Sequence, residues 1–567
     1  MTIRALLLFF SASALAAAQS ATPPPAAVNH APAPSQSAIR FEDATQQSGI
    51  HFTHSFGSAK LGSLLEGTGA GCVWFDYNNS GRESLFVVNG LPLAAGMTPN
   101  PLKSVPNPPP HAHLYRNDGN GHFTDVTAES GLDPNMYGIA VTAGDYDNDG
   151  YEDLLVTGYG KVVLYHNDGN GHFTDVTAKA GIKVNGWAIS STWLDYDKDG
   201  CADLFVGRYV KFDPSYRLFY AADNYPGPLD YAGETNMLFH NNCDGTFTDV
   251  SKKSNIGAYI GRTMGVTAAD FDNDGWDDIY VTNDSVENFL FHNNHDGTFT
   301  EIGNETGAAY GQNGEATSSM GPVAADFWNR GVLDLWVTDG SFNRFLKNLD
   351  VPQLSSSPPK SQWKGFDDVT AAAGISETDA QYVSWGSGVY DFDNDGLLDI
   401  LVFHGGLIHL IPQEHTLFRG VGNGRFADVS RQAGQVVNTR TVARGACFAD
   451  YDNDGKVDAY VVNLGAEGTL LHNVSTSTGH WIEIKLVGTK SNRDGIGARI
   501  EVVANGERQS AERVASSGYL SQNDGRVHFG LGGATSIDKL VVRWPSGTVQ
   551  TLASQPVDRV LTIEEPR

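Results

Sequence analysis

The sequence predicts an all-β chain, a seven-bladed β-propeller followed by a small β-sandwich or barrel. Three observations carry this. A nine-residue acidic pattern, D-x-D-x-D-G-x-x-D, recurs along the chain. A second pattern, L-Y-x-N-x-D-G followed by F-x-D-V-T, alternates with it. Both stop near Gly479, where a different apolar/polar alternation begins.

The complete acidic pattern starts at Asp145, Asp195, Asp270, Asp391 and Asp450, and copies that have lost carboxylates start at Asp76 and Asp326. The seven starts lie 69, 50, 75, 56, 65 and 59 residues apart, so each unit is blade-sized and the variation belongs to loops. Apolar runs such as Leu154-Leu155-Val156 and Ile279-Tyr280-Val281 follow the acidic loops. The second pattern begins at Leu114, Leu164, Leu238, Leu290 and Leu417, with weaker copies from Phe345 and Leu470. Its Asn-Asp-Gly and Asp-Gly steps supply the positive φ of hairpin turns. Each repeat therefore reads as four short strands, with the acidic loop in the first hairpin and the Asn/Gly turn in the last.

The ends of the repeat region predict how the ring closes. Phe41-Glu42-Asp43-Ala44-Thr45 matches the second half of the second pattern, and Leu470-Leu471-His472-Asn473 matches its first half. One blade is then shared between both ends, and the propeller covers 39–475. Residues 479–567 hold alternating runs such as Trp481-Ile482-Glu483-Ile484 and Lys539-Leu540-Val541-Val542, which read as a small separate β domain. Insertions at 91–110 and 211–235 are candidates for a binding surface.

Residues 1–18 carry Arg4, an Ala/Leu/Phe stretch and A-x-A steps, and read as a secretory signal peptide; 19–38 is a Pro/Ala-rich linker. No later stretch is apolar enough to cross a bilayer, so the expected location is secreted or periplasmic, without membrane insertion. With 38 Lys+Arg against 66 Asp+Glu the net charge is −28, a field that opposes nucleic acid and anionic lipid. The expected partner is an extracellular protein or polysaccharide, and the expected state a monomer.

The acidic loops point to calcium, which takes about six to eight oxygen ligands. The side-chain ligands expected are Asp145, Asp147, Asp149 and Asp153; Asp195, Asp197, Asp199 and Asp203; Asp270, Asp272, Asp274 and Asp278; Asp391, Asp393, Asp395 and Asp399; and Asp450, Asp452, Asp454 and Asp458. The carbonyls of Tyr151, Cys201, Trp276, Leu397 and Lys456 stand at position 7, and the Gly at position 6 permits the turn. Five loops give about five structural Ca²⁺. Trp328 and Arg330 exclude metal from the loop at Asp326, and Asn78 and Ser80 weaken the one at Asp76.

These blades resemble FG-GAP/VCBS repeat propellers of the integrin-α type. The motifs Gly495-Ile496-Gly497-Ala498, Ser517-Gly518-Tyr519-Leu520-Ser521-Gln522, His528-Phe529-Gly530-Leu531-Gly532 and Val542-Arg543-Trp544-Pro545-Ser546-Gly547 resemble the ASPIC/UnbV domain. The pair in this order is similar to the cartilage acidic protein family and its bacterial secreted relatives. The resemblance implies a calcium-binding extracellular propeller used for adhesion or matrix interaction, with no established catalysis.

Other signals are thin. Cys201 and Cys243 should share one face of the ring and could bridge, whereas Cys72 and Cys447 read as small buried residues. His111-Ala112-His113 and His51-x-x-His54 could bind metal but sit in undistinguished contexts. His166, His240, His292 and His472 recur at one strand position and read as structural. Asn283, Asp284, Asn288, Asp339, Asn343 and the aromatics Tyr209, Phe212, Tyr216, Tyr220 and Tyr225 could line a ligand surface. No nucleophile elbow, zinc-protease, Walker or dinucleotide motif occurs, so no catalytic residue and no bound organic cofactor is assigned. A propeller carbohydrate lyase or dehydratase is the alternative.

Overall fold

The computed structural model describes residues 39–218, 225–349, 363–375, 381–476 and 479–567. The expected signal peptide, the whole of the linker, and Tyr220 lie outside them. The described residues are nearly all β. Blades I to VII are headed by Cys72–Phe75, Tyr137–Gly144, Ala188–Leu194, Thr263–Ala269, Thr317–Ala325, Ser384–Tyr390 and Ala443–Ala449. Each heading strand lies beside the next, and the one of blade VII lies beside that of blade I, so the ring is closed.

Blade II shows the plan: Tyr137–Gly144, Asp153–Tyr159, Val162–Asn167 and Phe173–Asp175 pair antiparallel in chain order. Its first strand is buried throughout, because both faces are covered by neighbouring blades, and the run is accordingly apolar without alternation. In the last strand only Phe173 is buried. Blade VII takes its outer strand from the other end of the region: Phe41–Asp43 pairs antiparallel with Thr469–Asn473, Phe41 opposite Asn473 and Asp43 opposite Leu471. The shared blade expected from the split pattern is present.

Residues beyond 479 form two sheets. His480–Val487 lies between Val527–Gly532 and, in parallel, Arg559–Glu564. Glu507–Glu512, Arg499–Ala504, Ser536–Arg543 and Val549–Pro556 make the second sheet. Ile482, Ile484, Ile500, Val502, Phe529, Leu540, Val542 and Trp544 are buried between them, so the tail is a sandwich.

The tail does not stand apart from the ring. The segment 516–524 runs along the propeller axis and bonds the inner strands of five blades. Thr267 donates to the Ser516 carbonyl at 3.0 Å, and Gly518 N–H to Pro322 at 2.8 Å. Gln522 N–H donates to the Cys72 carbonyl at 3.0 Å. Its side-chain amide pairs both ways with the Ala143 backbone, at 2.9 and 3.0 Å. Asp524 N–H reaches Phe448 at 2.9 Å. Tyr519 and Leu520 are buried against Ile139, Trp187, Ile189, Met264, Met320 and Trp385. Gly71 is required here, since a Cβ on it would lie 1.8 Å from the Leu520 carbonyl oxygen. Gly71→Ala is expected to cost about 1–3 kcal/mol or more in denaturant unfolding. It should also expose the tail to limited proteolysis; wild-type stability in this variant would contradict the axial seating.

Candidate metal centres on the acidic-loop face

In an antiparallel blade the first and third connections emerge on one side, so all acidic loops and all outer Asn/Gly turns share a face. The Cys201–Cys243 disulfide joins an acidic loop to an outer turn on that face, as placement suggested. The first carboxylate of each loop folds the loop itself. Asp145 accepts the N–H groups of Asp149 and Gly150 at 3.0 and 2.7 Å, and Asp195, Asp270, Asp391 and Asp450 repeat this. Position 4 is left-handed, with φ near 55° at Asn148, Lys198, Asn273, Asn394 and Asn453, and so is the Gly at position 6. The fifth residue (Asp149, Asp199, Asp274, Asp395, Asp454) accepts the N–H of position 7 (Tyr151, Cys201, Trp276, Leu397, Lys456) at 2.9–3.0 Å. The ninth carboxylate (Asp153, Asp203, Asp278, Asp399, Asp458) is fully buried and accepts a backbone N–H from the third strand.

Two sets of asparagines tie these loops around the ring. A buried Asn in the third strand donates its amide both to its own blade and to position 2 of the preceding blade's loop. Asn167 reaches Glu152 and Tyr77 carbonyls at 3.0 and 2.8 Å, and Asn241 reaches Ala202 and Tyr146 at 2.9 and 2.7 Å. Asn293, Asn348 and Asn473 do the same to Tyr196, Phe271 and Phe392. Asn117 reaches Tyr451, linking the first blade to the last. The left-handed Asn at position 4 points the other way, to the Gly carbonyl of the following loop: Asn79 to Gly150, Asn148 to Gly200, Asn273 to Gly331, Asn394 to Gly455 and Asn453 to Gly81.

Position 3 and position 9 meet a third-strand side chain that sequence reasoning did not connect to them. His166 Nδ1 lies 3.3 Å from Asp147 and 3.2 Å from Asp153, and His240 stands identically toward Asp197 and Asp203. His292 approaches Asp272 and Asp278 at 3.7 and 3.1 Å, and His472 approaches Asp452 and Asp458 at 4.0 and 3.1 Å. The signal was visible: His stands one residue before the clamping Asn only in blades whose loop is complete. Blade VI has Arg419 there instead, bonded to Asp393 at 2.8 Å and to Asp395. In the loop at Asp326 the Arg330 guanidinium lies 2.7 Å from Asp334. At Asp76 the nearest cation is Lys485, 3.8 Å away.

The carboxylates are crowded. Burial pushes Asp153, Asp195 and Asp458 up to about 7 and Asp203 up to about 8. Burial and the facing Asp278 raise Asp272 to about 7, and burial with the neighbouring Asp494 raises Asp145 to about 9. Among the described residues Asp278 Oδ2, Asp458 Oδ2 and Asp197 Oδ1 are buried without a hydrogen-bond donor. Oxygen-rich loops with orphaned buried acceptors suit a divalent cation, and the residues present therefore fit one.

The tail covers this face. Asp494 accepts Asp145 N–H at 2.8 Å, and Arg493 N–H donates to Asn148 at 2.7 Å. Asn492 bonds the Asp195 carboxylate. Buried Arg499 pairs with Glu512 at 2.8 Å and donates to the Asp270 carbonyl at 2.9 Å. Ser510 donates to Asp326 at 2.6 Å, Gly532 N–H to Asn394 at 2.9 Å, and buried Arg526 to the Asp450 carbonyl at 2.9 Å.

Other candidates disperse. His111 and His113 stack at 4.4 Å, and His113 pairs with Asp125 at 2.7 Å. His54 is buried, which lowers its pKa to about 3, while His51 faces Glu467 at 3.6 Å. Cys72 and Cys447 are buried free thiols. Tyr209 is buried and donates to Asp284 at 2.6 Å, Phe212 packs on Trp187, and only Tyr216 is exposed among the insertion aromatics named above and described. Asn283 and Asp339 are buried in the second strands of blades IV and V, and Asn288 and Asn343 in the turns that follow them.

Repeating blades with acidic first hairpins define an FG-GAP propeller. The chain belongs to the FG-GAP-like repeat family, which it matches over 104–156, 145–206, 219–281, 270–337 and 391–461, and it carries an ASPIC and UnbV domain over 488–567. It is similar to cartilage acidic protein 1 of Xenopus tropicalis, 25% identical over 55% of this chain and 47% of the relative. The human protein of that name is likewise 25% identical, over 56% of this chain and 46% of its own length. The chain thus spans about half the length of the curated relatives it matches. Among solved structures it is similar to an Agrocybe aegerita lectin described as recognising non-reducing terminal N-acetylglucosamine. The TM-score is 0.35, at 15% identity over 70% of this chain and 86% of the lectin. Among the described residues no helix is long and apolar enough to cross a membrane.

The clamps make a direct prediction. Asn167→Ala leaves the Tyr77 and Glu152 carbonyls buried without their donor and should lower unfolding stability by about 1–3 kcal/mol. Chemical denaturation checks this, with Asn170→Ala, on an exposed turn, as the control expected to stay within about 0.5 kcal/mol of wild type.

Proposed function

We propose that this is an exported, calcium-stabilised propeller that serves as a non-catalytic binding or adhesion module for an extracellular protein or polysaccharide. The observation that carries this reading is the division between the two faces. The tail occupies the acidic-loop face. Among the described residues, eight of the ten exposed large apolar side chains, Val105, Tyr216, Leu229, Ile260, Phe342, Leu407, Leu410 and Ile411, lie on second-to-third-strand or blade-to-blade connections, which emerge on the other side; the exceptions are Val421 on the outer turn of blade VI and Val549 in the tail. Both long insertions belong there as well. The two long insertions and most exposed apolar side chains thus lie on the face that the tail leaves open, and this supports a partner-binding role there.

In this reading calcium sits in the loops of blades II, III, IV and VII. Asp145, Asp147, Asp149 and Asp153 and their equivalents would hold it, with the position-7 carbonyls of Tyr151, Cys201, Trp276 and Lys456. A bound cation offsets the mutual repulsion of these carboxylates. The loop at Asp391 differs, because Arg419 already pairs with Asp393 and Asp395. Four ions per chain are therefore expected by calorimetry or elemental analysis. Arg419→Gln should add a fifth; five in the wild type would remove the role given to Arg419.

The raised carboxylates fix the sign of the pH dependence. Without metal the folded protein retains protons that unfolded aspartates lose near pH 4, so each raised group costs stability as pH climbs from about 4 to its folded value of about 7–8. Calcium removes that penalty by replacing the protons. The calcium-induced rise in melting temperature should grow from pH 5 to pH 8, and a pH-independent increment would contradict the assignment.

The function is tested by incubating calcium-loaded protein with polysaccharides and matrix proteins, scoring co-sedimentation together with new reducing or unsaturated ends. Retention without product is expected. Product that persists with re-purified protein would replace the binding module by an enzyme.

A further inference from the structure

We propose that the loops of blades II, III, IV and VII are mixed carboxylate–imidazole sites that bind a nitrogen-preferring divalent ion of the zinc or cobalt class as well as calcium. The proposal rests on the reading that these loops hold a cation, and adds His166, His240, His292 and His472 as ligands.

Three observations support it. In each of the four blades an imidazole nitrogen and an oxygen from each of two carboxylates cluster, with all three ligand atoms within 4.8 Å of one another. His166 and His240 hold the nitrogen 3.2–3.3 Å from both carboxylates. An ion about 2.0–2.2 Å from each ligand separates neighbouring ligands by roughly 3 Å, so little movement is needed to close on it. Nδ1 of His166 and His240 lacks an aligned hydrogen bond despite that distance, whereas Nδ1 of His292 and His472 bonds one oxygen of Asp278 and Asp458 at 3.1 Å and the other oxygen of each of these fully buried carboxylates keeps no donor. These atoms are available to a metal. Finally, the blades without such a cluster at this register carry Arg116, Lys347 or Arg419, cations that repel metal rather than ligate it.

Calcium takes oxygen ligands and gains little from imidazole, whereas zinc and cobalt gain much. The residue set thus exceeds what calcium alone needs. The oxygens of position 3 and position 9 serve either ion, so the two classes compete.

The test uses metal-free full-length chain titrated with Co²⁺, followed by its visible absorption, which responds to nitrogen ligation, and with Ca²⁺ by calorimetry. Wild type should take up to four Co²⁺, displaced by excess Ca²⁺. The combined His166→Gln, His240→Gln, His292→Gln and His472→Gln variant should lose Co²⁺ affinity by at least about tenfold while its Ca²⁺ affinity changes less than about twofold. Should that variant fail to fold, each single variant is read by its loss of one Co²⁺ equivalent. Undiminished Co²⁺ binding in the variants would place the ion elsewhere, with His111 and His113 the first alternative, and would overturn the proposal. Calcium binding without cobalt binding in the wild type would overturn it too, leaving the calcium reading intact. Absence of both ions would remove the reading beneath it.

Discussion

A carbonyl that is buried must find a donor, and the ring is organised around that requirement. The turn at the start of each acidic loop directs its position-2 carbonyl into the neighbouring blade, and a buried asparagine of that neighbour meets it in six of the seven blades. Neither partner is satisfied alone. Blade-to-blade attachment is therefore specified by hydrogen-bond geometry as well as by apolar packing, and a shift of one blade against another would leave a donor and an acceptor unpaired in a dry interior. Blade VI is the exception, with Gly420 in the asparagine position.

The same loops concentrate negative charge, and the molecule manages it in more than one way. Arginines from within blades V and VI lie directly on the carboxylates. Arg499 and Arg526 of the tail enter from outside and are themselves buried among Glu512, Asp524, Glu83 and Glu483. Removing either member of such a buried pair strands a charge, so the partners must be in place together. The tail is consequently held by buried charges whose partners lie on both sides of the contact, Glu83 on the ring and Glu483, Glu512 and Asp524 on the tail.

Much of this was legible in the sequence because it is periodic. The acidic nonapeptide located every first hairpin, the glycine at its sixth position marked a backbone that is left-handed, and the split of one pattern between Phe41 and Leu470 revealed the shared blade. What escaped was non-local. The Asn of the second pattern reads as turn chemistry, yet Asn167 and its equivalents are strand residues whose amides act across a blade boundary; the left-handed turn residues lie a little further on, at Gly169 and Gly171. Arg419 lies 26 residues from Asp393, and nothing in their spacing announces the pair. The motif around Tyr519 marked a family, but its place on the axis depends on partners up to 451 residues away.

The axial segment also sets an order of assembly. Residues 516–524 are synthesised after the blade strands they bond, so a growing chain can stack its blades before the axis is filled. The inner carbonyls of Cys72, Ala143, Pro322 and Phe448 take their donors from that last-made segment. Filling of the axis is thus a later event in the life of the polypeptide than the pairing of Phe41–Asp43 with Thr469–Asn473 that closes the ring, and a chain interrupted before residue 516 retains all seven acidic loops but lacks the segment that fills the axis they surround.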